Sequence, residues 1–177
     1  MIAFVPLDLR VHREIFIKLN VELITWISDQ LRENYQIEAS SDIGQEISEY
    51  VAEHIQDFTS LKPPNGIVYL LEHKGSIVGM GALKKLKHNV GEIKRMYIRP
   101  HWRGRGYGKQ LLNKLLEKGK EFGFSTLRLE TSRFMSGAQH IYKSRGFIER
   151  EEYPEVETPI ILRQYQVFME KRTTKLI

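Results

Sequence analysis

Seven consecutive residues combine glycine with positive charge in a way that suits an anionic ligand. They are Arg103, Gly104, Arg105, Gly106, Tyr107, Gly108 and Lys109. Because glycine has no Cβ, backbone N–H groups in this stretch can approach a ligand closely. A helix that follows adds unpaired N–H groups and the positive end of its dipole, and the arginine and lysine side chains add mobile charge. We therefore predict a polyphosphate site here, whereas an isolated glycine cluster would predict only a tight turn.

The spacing of the glycines excludes two common nucleotide-binding motifs. A P-loop has Gly-Lys followed by Ser or Thr, whereas Gln110 follows Lys109. The dinucleotide fingerprint has two residues between its second and third glycines, whereas a single residue separates Gly106 from Gly108. The predicted phosphate ligand therefore belongs to another class.

Two blocks of the sequence resemble the GNAT superfamily of N-acetyltransferases. The acyl-CoA motif of that superfamily has Arg or Gln, two residues, Gly, one residue and then Gly or Ala, a pattern that Arg103, Gly106 and Gly108 match. Its later helix-to-strand motif is matched by Ala138, Tyr142, Gly146 and Phe147. Residues 91–100 also resemble its central strand, so that the resemblance covers about residues 92–148. Where many members carry Asn three residues before the alanine, this chain has Met135.

The resemblance implies a fold and a donor substrate. The fold is α/β, with a mixed, strongly twisted sheet between helices, in which two central parallel strands splay apart. Acetyl-CoA, the implied cosubstrate, would lie in this opening and pair with the backbone of Met96, Tyr97 and Ile98. Its pyrophosphate would contact the glycine turn. The implied reaction is transfer of an acetyl group to a primary amine.

The reaction implied by the resemblance requires groups that move protons. An alkyl ammonium with a pKa of about 10.4 must lose a proton before it attacks, so a base is expected. Glu92 resembles the acidic residue that some members use, and Glu130, near the end of the next parallel strand, is the second candidate. For either glutamate, the alternative to catalysis is a solvated carboxylate or a structural salt bridge, and Glu92 is the preferred candidate for the base. Tyr142 matches a tyrosine that lies near the CoA sulfur in many members and can reprotonate the leaving thiolate.

Hydrophobic periodicity predicts the elements that position these residues. The predicted helices cover residues 11–35, 43–58, 109–123 and 136–144, and the predicted strands cover 67–72, 76–84, 92–98, 126–130, 147–152 and 161–171. Ser40, Ser41 and Asp42 are candidate caps for the second helix. The strand-helix-strand order around the glycine turn favours a parallel pair of strands.

Composition limits the class of protein. The chain has 177 residues, of which 41% are hydrophobic and 28% charged, values typical of a globular domain, and we expect a single domain over residues 1–177. Without cysteine, thiolate catalysis and zinc-thiolate sites are excluded, and a reducing cytoplasm is the expected setting. The sequence shows neither a secretory signal nor a membrane-spanning segment, and its six histidines lack metal-ligand spacing, so we expect no metal and no membrane partner.

The acceptor is predicted only as a small-molecule or peptide amine. We expect its site between the first two helices, the loop after Lys87 and residues 152–160, where several glutamates attract a cation or are simply solvated. The basic tip from Lys84 to His88 lacks a nucleic-acid-binding motif, so no nucleic acid is expected. A homodimer and an acyl group longer than acetyl stay open. The alternative function is a noncatalytic acyl-CoA-binding sensor or interaction module.

Overall fold

The computed structural model describes residues 2–38, 46–58 and 60–173. Within these ranges the strands are β1 (Ile2–Pro6), β2 (Gly66–His73), β3 (Ser76–Lys87), β4 (Val90–Ile98), β5 (Thr126–Ser132), β6 (Ile148–Arg150) and β7 (Gln166–Arg172). The α-helices are α1 (Leu9–Tyr35), α2 (Ile47–His54), α3 (Tyr107–Glu121), α4 (Ser136–Lys143) and the single turn α5 (Ile160–Arg163). Short 3₁₀ helices lie at Ile55–Phe58 and Pro100–Trp102. No helix in these ranges is both long enough and apolar enough to cross a membrane.

All of these strands form one mixed sheet in the order β1-β2-β3-β4-β5-β7-β6. Strands β1 to β4 are antiparallel, β4 and β5 are parallel, and β7 pairs antiparallel with both β5 and β6. Helix α3 crosses between the two parallel strands and packs against β3 and β4. The mixed sheet flanked by helices confirms the predicted fold class.

The sheet is covered on both faces. On one face, Leu111, Leu112 and Leu115 of α3 are fully buried against the strands. On the other face, Phe16 and Leu19 of α1 belong to a second core formed with β2, β3 and β4. Strands buried on both faces need apolar residues at consecutive positions, which explains the unbroken apolar runs of β2 and β3.

Capping residues set the ends of α1. The Asp8 side chain accepts a hydrogen bond from the backbone N–H of Arg10 at 3.0 Å, so the helix begins at Leu9, two residues before the predicted start. At the other end, Gln36 adopts a left-handed conformation with φ of 56°, and its N–H donates to the carbonyl of Arg32. These caps produce a helix long enough to reach across the face of the sheet.

Several predicted elements differ from the structure, most of them by a few residues at one end. Strand β1 was not predicted, because five residues at a sheet edge are too few to show a clear alternation. The predicted strand at 161–171 begins instead at Gln166, opposite Ser132 where β5 ends, and the residues before it form α5 after Pro159. Strand β6 is shorter than predicted. The predicted caps at residues 40–42 and the start of the second predicted helix lie outside the described residues.

Candidate active site

Strands β4 and β5 diverge along their length. They pair only through Val90, Gly91 and Glu92 on β4, opposite residues 126–128 on β5. Both strands continue beyond this short ladder, β4 to Ile98 and β5 to Ser132, without pairing to each other. The backbone groups of β4 along this opening are therefore available to an extended ligand.

A β-bulge interrupts β4 within the opening. Lys94 lies opposite Ala82 and Tyr97 lies opposite Met80, so β4 has one more residue than β3 over this interval. Arg95, inside the bulge, has φ of 55°, a conformation that L-residues other than glycine rarely adopt. Because a bulge redirects side chains, the spacing of residues along the sequence does not by itself indicate which way Arg95 points.

The glycine turn is open to a ligand. Gly104 and Gly106 have φ of 75° and 77°, so these positions require glycine for their backbone conformation. A Cβ at Gly104 would have no described atom within 4 Å, and at Gly106 its nearest neighbour would be Gln110 Nε2 at 4.0 Å. Helix α3 begins directly after the turn, and its first N–H groups have no partners within the helix. This arrangement fits a phosphate group.

Gly108 has a different environment. Its φ lies outside the left-handed region, and an added Cβ would lie 3.6 Å from Ile141 Cδ1 and 3.9 Å from Ile98 Cγ1, which are ordinary packing distances. A Cβ would therefore fit at Gly108, and neither the backbone conformation nor the packing of α3 against α4 and β4 requires glycine there.

Between Lys94 and Lys109 the sequence is a run that contains six lysines and arginines and no acidic residue, and these cations lie in two separate places. Arg103, Arg105 and Lys109 are exposed around the turn. The guanidinium of Arg103 lies 4.9 Å from the centre of the Trp26 ring, and its Nε donates to the Ile98 carbonyl at 2.9 Å. Only these three cations remain near the proposed phosphate site.

The other cations of the run face away from the turn. Arg99 donates to both carboxylate oxygens of Glu22, at 2.9 and 2.8 Å, and so joins β4 to α1. Lys94 and Arg95 line the cleft described next. The charge cluster in the sequence therefore divides between two functions.

Aromatic side chains support the turn from behind. The Tyr107 hydroxyl lies 2.9 Å from Nδ1 of His73 at the end of β2, and its ring stacks with Trp102 at 6.4 Å. The Arg105 guanidinium lies 5.0 Å from the centre of the Trp102 ring. These contacts fix the turn to the rigid edge of the sheet.

A cleft of about 500 Å³ lies between the diverging strands and the helices on the α1 face. Such a volume suits a small molecule. The strands contribute Ile93, Lys94, Arg95, Met96, Glu130, Thr131 and Ser132, and the helices contribute Leu23, Ile27, Leu31, Tyr50, His54 and Tyr142. Residues 157–159 close one side. Of the parts expected to form the acceptor site, α1, α2 and residues 157–159 line this cleft, whereas the loop at residues 88–89 lies where β4 and β5 are paired.

Tyr142 extends from α4 into this cleft and is only 6% exposed. Its ring packs edge-on against Phe147 at 6.0 Å. Burial raises the pKa of the Tyr142 phenol well above its ordinary value of 10.0. The hydroxyl therefore stays protonated at neutral pH and is available as a proton donor.

The two candidate glutamates lie in different surroundings. Glu130 lines the cleft, and burial raises the pKa of its carboxyl above the ordinary value of 4.5. Its Oε2 is buried without a hydrogen-bond partner among the described residues. A carboxylate in this setting gains from accepting a proton or a hydrogen bond.

Glu92 is fully buried and does not line the cleft. The Tyr153 hydroxyl donates to its Oε1 at 2.7 Å, and Lys94 Nζ lies 3.3 Å from its Oε2. Since Glu130 lines the cleft whereas Glu92 is fully buried at the paired end of the strands, Glu130 is better placed to meet a ligand in the cleft.

The acidic segment after β6 is paired within the protein. Glu157 forms ion pairs with Lys84 and, at 2.6 Å, with Lys94. Burial opposes these pairs, but the two lysines lower the pKa of Glu157 to about 2. Glu155 likewise pairs with Lys87 at 2.8 Å. The glutamates that the sequence offered as attractors of a cationic acceptor therefore hold their own segment against the sheet.

Within the described part of the chain, no group of three or more histidine, aspartate or glutamate side chains is arranged to bind a metal ion. The sequence motifs identified the glycine turn and Tyr142. They did not identify Tyr153 as the partner of Glu92, because the contact joins residues 61 positions apart in the chain.

A sequence model described as the acetyltransferase (GNAT) family matches residues 22–147. An IAA acetyltransferase of Azospirillum brasilense is 31% identical over 120 residues, which cover 67% of this chain and 75% of that protein. YjgM of Escherichia coli, described as an uncharacterized N-acetyltransferase, is 32% identical over 87 residues, covering 48% of this chain and 52% of that protein.

Solved structures share the architecture. The PaiA N-acetyltransferase from Thermoplasma acidophilum, whose structure is a complex with coenzyme A, superposes with a TM-score of 0.70. The match covers 98% of this chain and 99% of that one, at 20% sequence identity. At this identity the likeness concerns the fold.

Proposed function

Because the chain belongs to the acetyltransferase (GNAT) family, we propose that it transfers an acetyl group from acetyl-CoA to a primary amine bound in the cleft. Family membership makes the chain an acyltransferase. One observation carries the finer proposal: Tyr142 and Glu130, both with raised pKa values, line a single cleft between the diverging strands. A proton donor and a proton acceptor are thus available to the same bound molecules.

The donor half of the proposal is supported by the shape of the backbone. Gly104 and Gly106 have no Cβ, so the space beside their backbone is open to a ligand. The N-terminus of α3 offers unpaired N–H groups to the pyrophosphate. Tyr107 and Gly108 form the first turn of α3, and Arg103, Arg105 and Lys109 supply positive charge around it. The backbone of Met96, Tyr97 and Ile98, on the side of β4 that faces β5 without pairing to it, binds the pantetheine arm.

The bound cosubstrate supplies a thioester, whose acyl carbon is open to attack by an amine. Glu130 takes a proton from the incoming ammonium, directly or through a water molecule, and its raised pKa brings it closer to that of the amine. As the C–S bond breaks, Tyr142 gives its hydroxyl proton to the departing sulfur, and the nitrogen of the new C–N bond returns its extra proton to the phenolate, leaving a neutral amide. A backbone N–H of the diverging part of β4 stabilises the oxygen that becomes negative during attack.

We assign Glu92 a structural role instead. Its fully buried carboxylate accepts a hydrogen bond from the Tyr153 hydroxyl and lies next to Lys94. These contacts hold β4 and the segment after β6 together. The sequence favoured Glu92 over Glu130 as the base, and we propose the opposite order. Lys94 lines the cleft, so it lies between Glu92 and the space proposed for the acceptor.

The proposal is tested by measuring thiol release from acetyl-CoA with a panel of amines that includes polyamines, amino acids and peptides with free N-termini. Calorimetric titration with coenzyme A is carried out in parallel. We expect coenzyme A to bind and at least one amine to stimulate release. Binding without release for every amine would favour the noncatalytic sensor, and a failure to bind would exclude both functions.

A further inference from the structure

The Arg95 guanidinium faces the acceptor cleft without an anionic partner. It lines the cleft and lies 5.5 Å from the centre of the Phe58 ring. Across residues 2–38, 46–58 and 60–173, it forms neither an ion pair nor a hydrogen bond to another side chain or carbonyl. A half-buried guanidinium with five donors and no acceptor is poorly satisfied. It would gain from an anion that enters the cleft.

The other cations of this region already have partners. Lys84 and Lys94 both pair with Glu157, and Arg99 pairs with Glu22 through two hydrogen bonds. Arg95 differs from these neighbours in forming no ion pair within 4 Å, and Asp57, Glu130 and Glu157 act on its charge only from a greater distance. The bulge holds Arg95 at φ of 55°, and its side chain lines the cleft.

The surroundings of Arg95 separate it from the donor site. It lies with Tyr50 and His54 of α2 and with Phe58, on the acceptor side of the diverging strands. The glycine turn is reached instead by Arg103, whose guanidinium stacks over Trp26. An anion bound at Arg95 is therefore part of the acceptor and not a phosphate of the donor.

We propose that Arg95 binds a carboxylate of the acceptor, so that the substrates are primary amines that also carry a carboxylate, amino acids being the simplest class. This inference rests on the proposed function and names its substrate class. A planar guanidinium matches a carboxylate through two parallel hydrogen bonds. Glu130 on β5 and Arg95 on β4 then face the opposite charges of a zwitterion from two walls of one cleft.

The remaining walls indicate which amino acids to use as probes. Helix α1 presents Leu23, Ile27 and Leu31 to the cleft. We therefore choose leucine and phenylalanine, each compared with the amine that remains when its carboxylate is removed, isoamylamine and phenethylamine. The members of a pair differ in the carboxylate and share the apolar group, although loss of the carboxylate also raises the pKa of the amine. Comparison at a fixed concentration of free base corrects for this difference.

The experiment measures kcat/KM for both members of each pair by thiol release from acetyl-CoA. The wild-type protein is expected to prefer the amino acid by about tenfold or more, since hydrogen bonds between charged groups have this strength. Arg95→Gln is expected to remove most of that preference by lowering kcat/KM for the amino acid about tenfold or more, with little change for the decarboxylated amine. The matched control, Arg13→Gln on the exposed face of α1, is expected to retain the preference.

Two further readouts separate recognition from folding. Arg95→Gln should bind coenzyme A with the wild-type Kd and show a cooperative thermal transition. The preference of the wild-type protein for the amino acid over the decarboxylated amine is measured without any variant. It therefore tests the inference even if Arg95→Gln folds poorly. Equal use of both members of a pair, or an equal loss for both in Arg95→Gln, would overturn the carboxylate site while leaving the acetyltransferase proposal intact. Coenzyme A binding without release for any amine would refute the proposed function itself.

Discussion

Burial gives Tyr142 and Glu130 the protonation behaviour that acetyl transfer requires. Loss of hydration disfavours the charged form of each group, so both pKa values rise. For a general acid this keeps the phenol protonated, and for a general base it increases affinity for the proton of the amine. The same physical cause therefore prepares opposite roles.

Tyr142→Phe removes the hydroxyl and keeps the ring that packs against Phe147. We expect kcat to fall about 100-fold or more, because general acid catalysis typically contributes this much. The Kd of coenzyme A should not change. Steady-state kinetics with calorimetric titration measure both quantities, and an unchanged kcat would remove Tyr142 from the chemistry.

Glu130→Gln removes the proposed base while keeping a side chain of similar size. We expect kcat/KM at neutral pH to fall about 100-fold. In the wild type, activity should decline as pH is lowered through a pKa above 4.5, because the base must be deprotonated and its pKa is raised by burial. A pH profile of kcat/KM measures this limb. The decline in kcat/KM at low pH should be absent from Glu130→Gln. If the decline persists in this variant, it arises from the titration of another group.

The sequence located the residues of the glycine turn and Tyr142 because their spacing is local. It placed Glu92 ahead of Glu130, whereas we propose the opposite order, since the choice depends on where the strands stop pairing. Glu92 lies in the last paired position of β4, opposite Arg128, and Glu130 lies two residues beyond it on β5. The direction of Arg95 was equally inaccessible, because the bulge exists only relative to the register of β3.

At the level of elements, we propose that the turn and α3 act as one anion-binding unit. The left-handed glycines let the chain reverse and begin the helix directly, so that its N-terminus faces the opening between β4 and β5. The sequence predicted this unit because its glycine pattern and helical period are both local. It missed β1 and placed the start of β7 too early, since these limits depend on the pairing partners β2 and β5.

Gly106→Asp should weaken coenzyme A binding without unfolding the protein. Aspartate tolerates a left-handed φ better than most residues, but its carboxylate would repel phosphate by about 1 to 4 kcal/mol at 4 Å, so the Kd should rise about tenfold or more. Gly123→Asp is the matched control, because Gly123 also has φ of 77° and lies beyond the other end of α3. Calorimetric titration compares the two, and equal affinities would argue against a phosphate site at the turn.

At the level of the whole molecule, the segment after β6 joins the two halves of the sheet. Tyr153 is 1% exposed, packs against Phe168 of β7 at 5.9 Å and donates to Glu92 of β4. Ion pairs of Glu155 and Glu157 with lysines of β3 and β4 hold the rest of the segment. These contacts cross the line where β4 and β5 diverge, so they maintain the cleft while leaving its interior accessible.

Tyr153→Phe tests this structural role. Loss of a buried hydrogen bond to a carboxylate should lower the free energy of unfolding by about 1.5 to 3 kcal/mol, as measured by urea denaturation. At a temperature where the variant stays folded, coenzyme A affinity and kcat should be close to those of the wild type. A large loss of kcat at unchanged stability would instead place the Tyr153–Glu92 pair in the chemistry.

The central claim is that the cleft joins an acetyl-CoA donor to an amine. Mass spectrometry of the amine panel after incubation with isotope-labelled acetyl-CoA tests it most directly, with wild-type protein compared with Gly106→Asp and Tyr142→Phe at the same donor concentration. We predict labelled N-acetyl product with the wild type and far less with either variant. Absence of labelled product from every amine, or equal yields from all three proteins, would contradict the account.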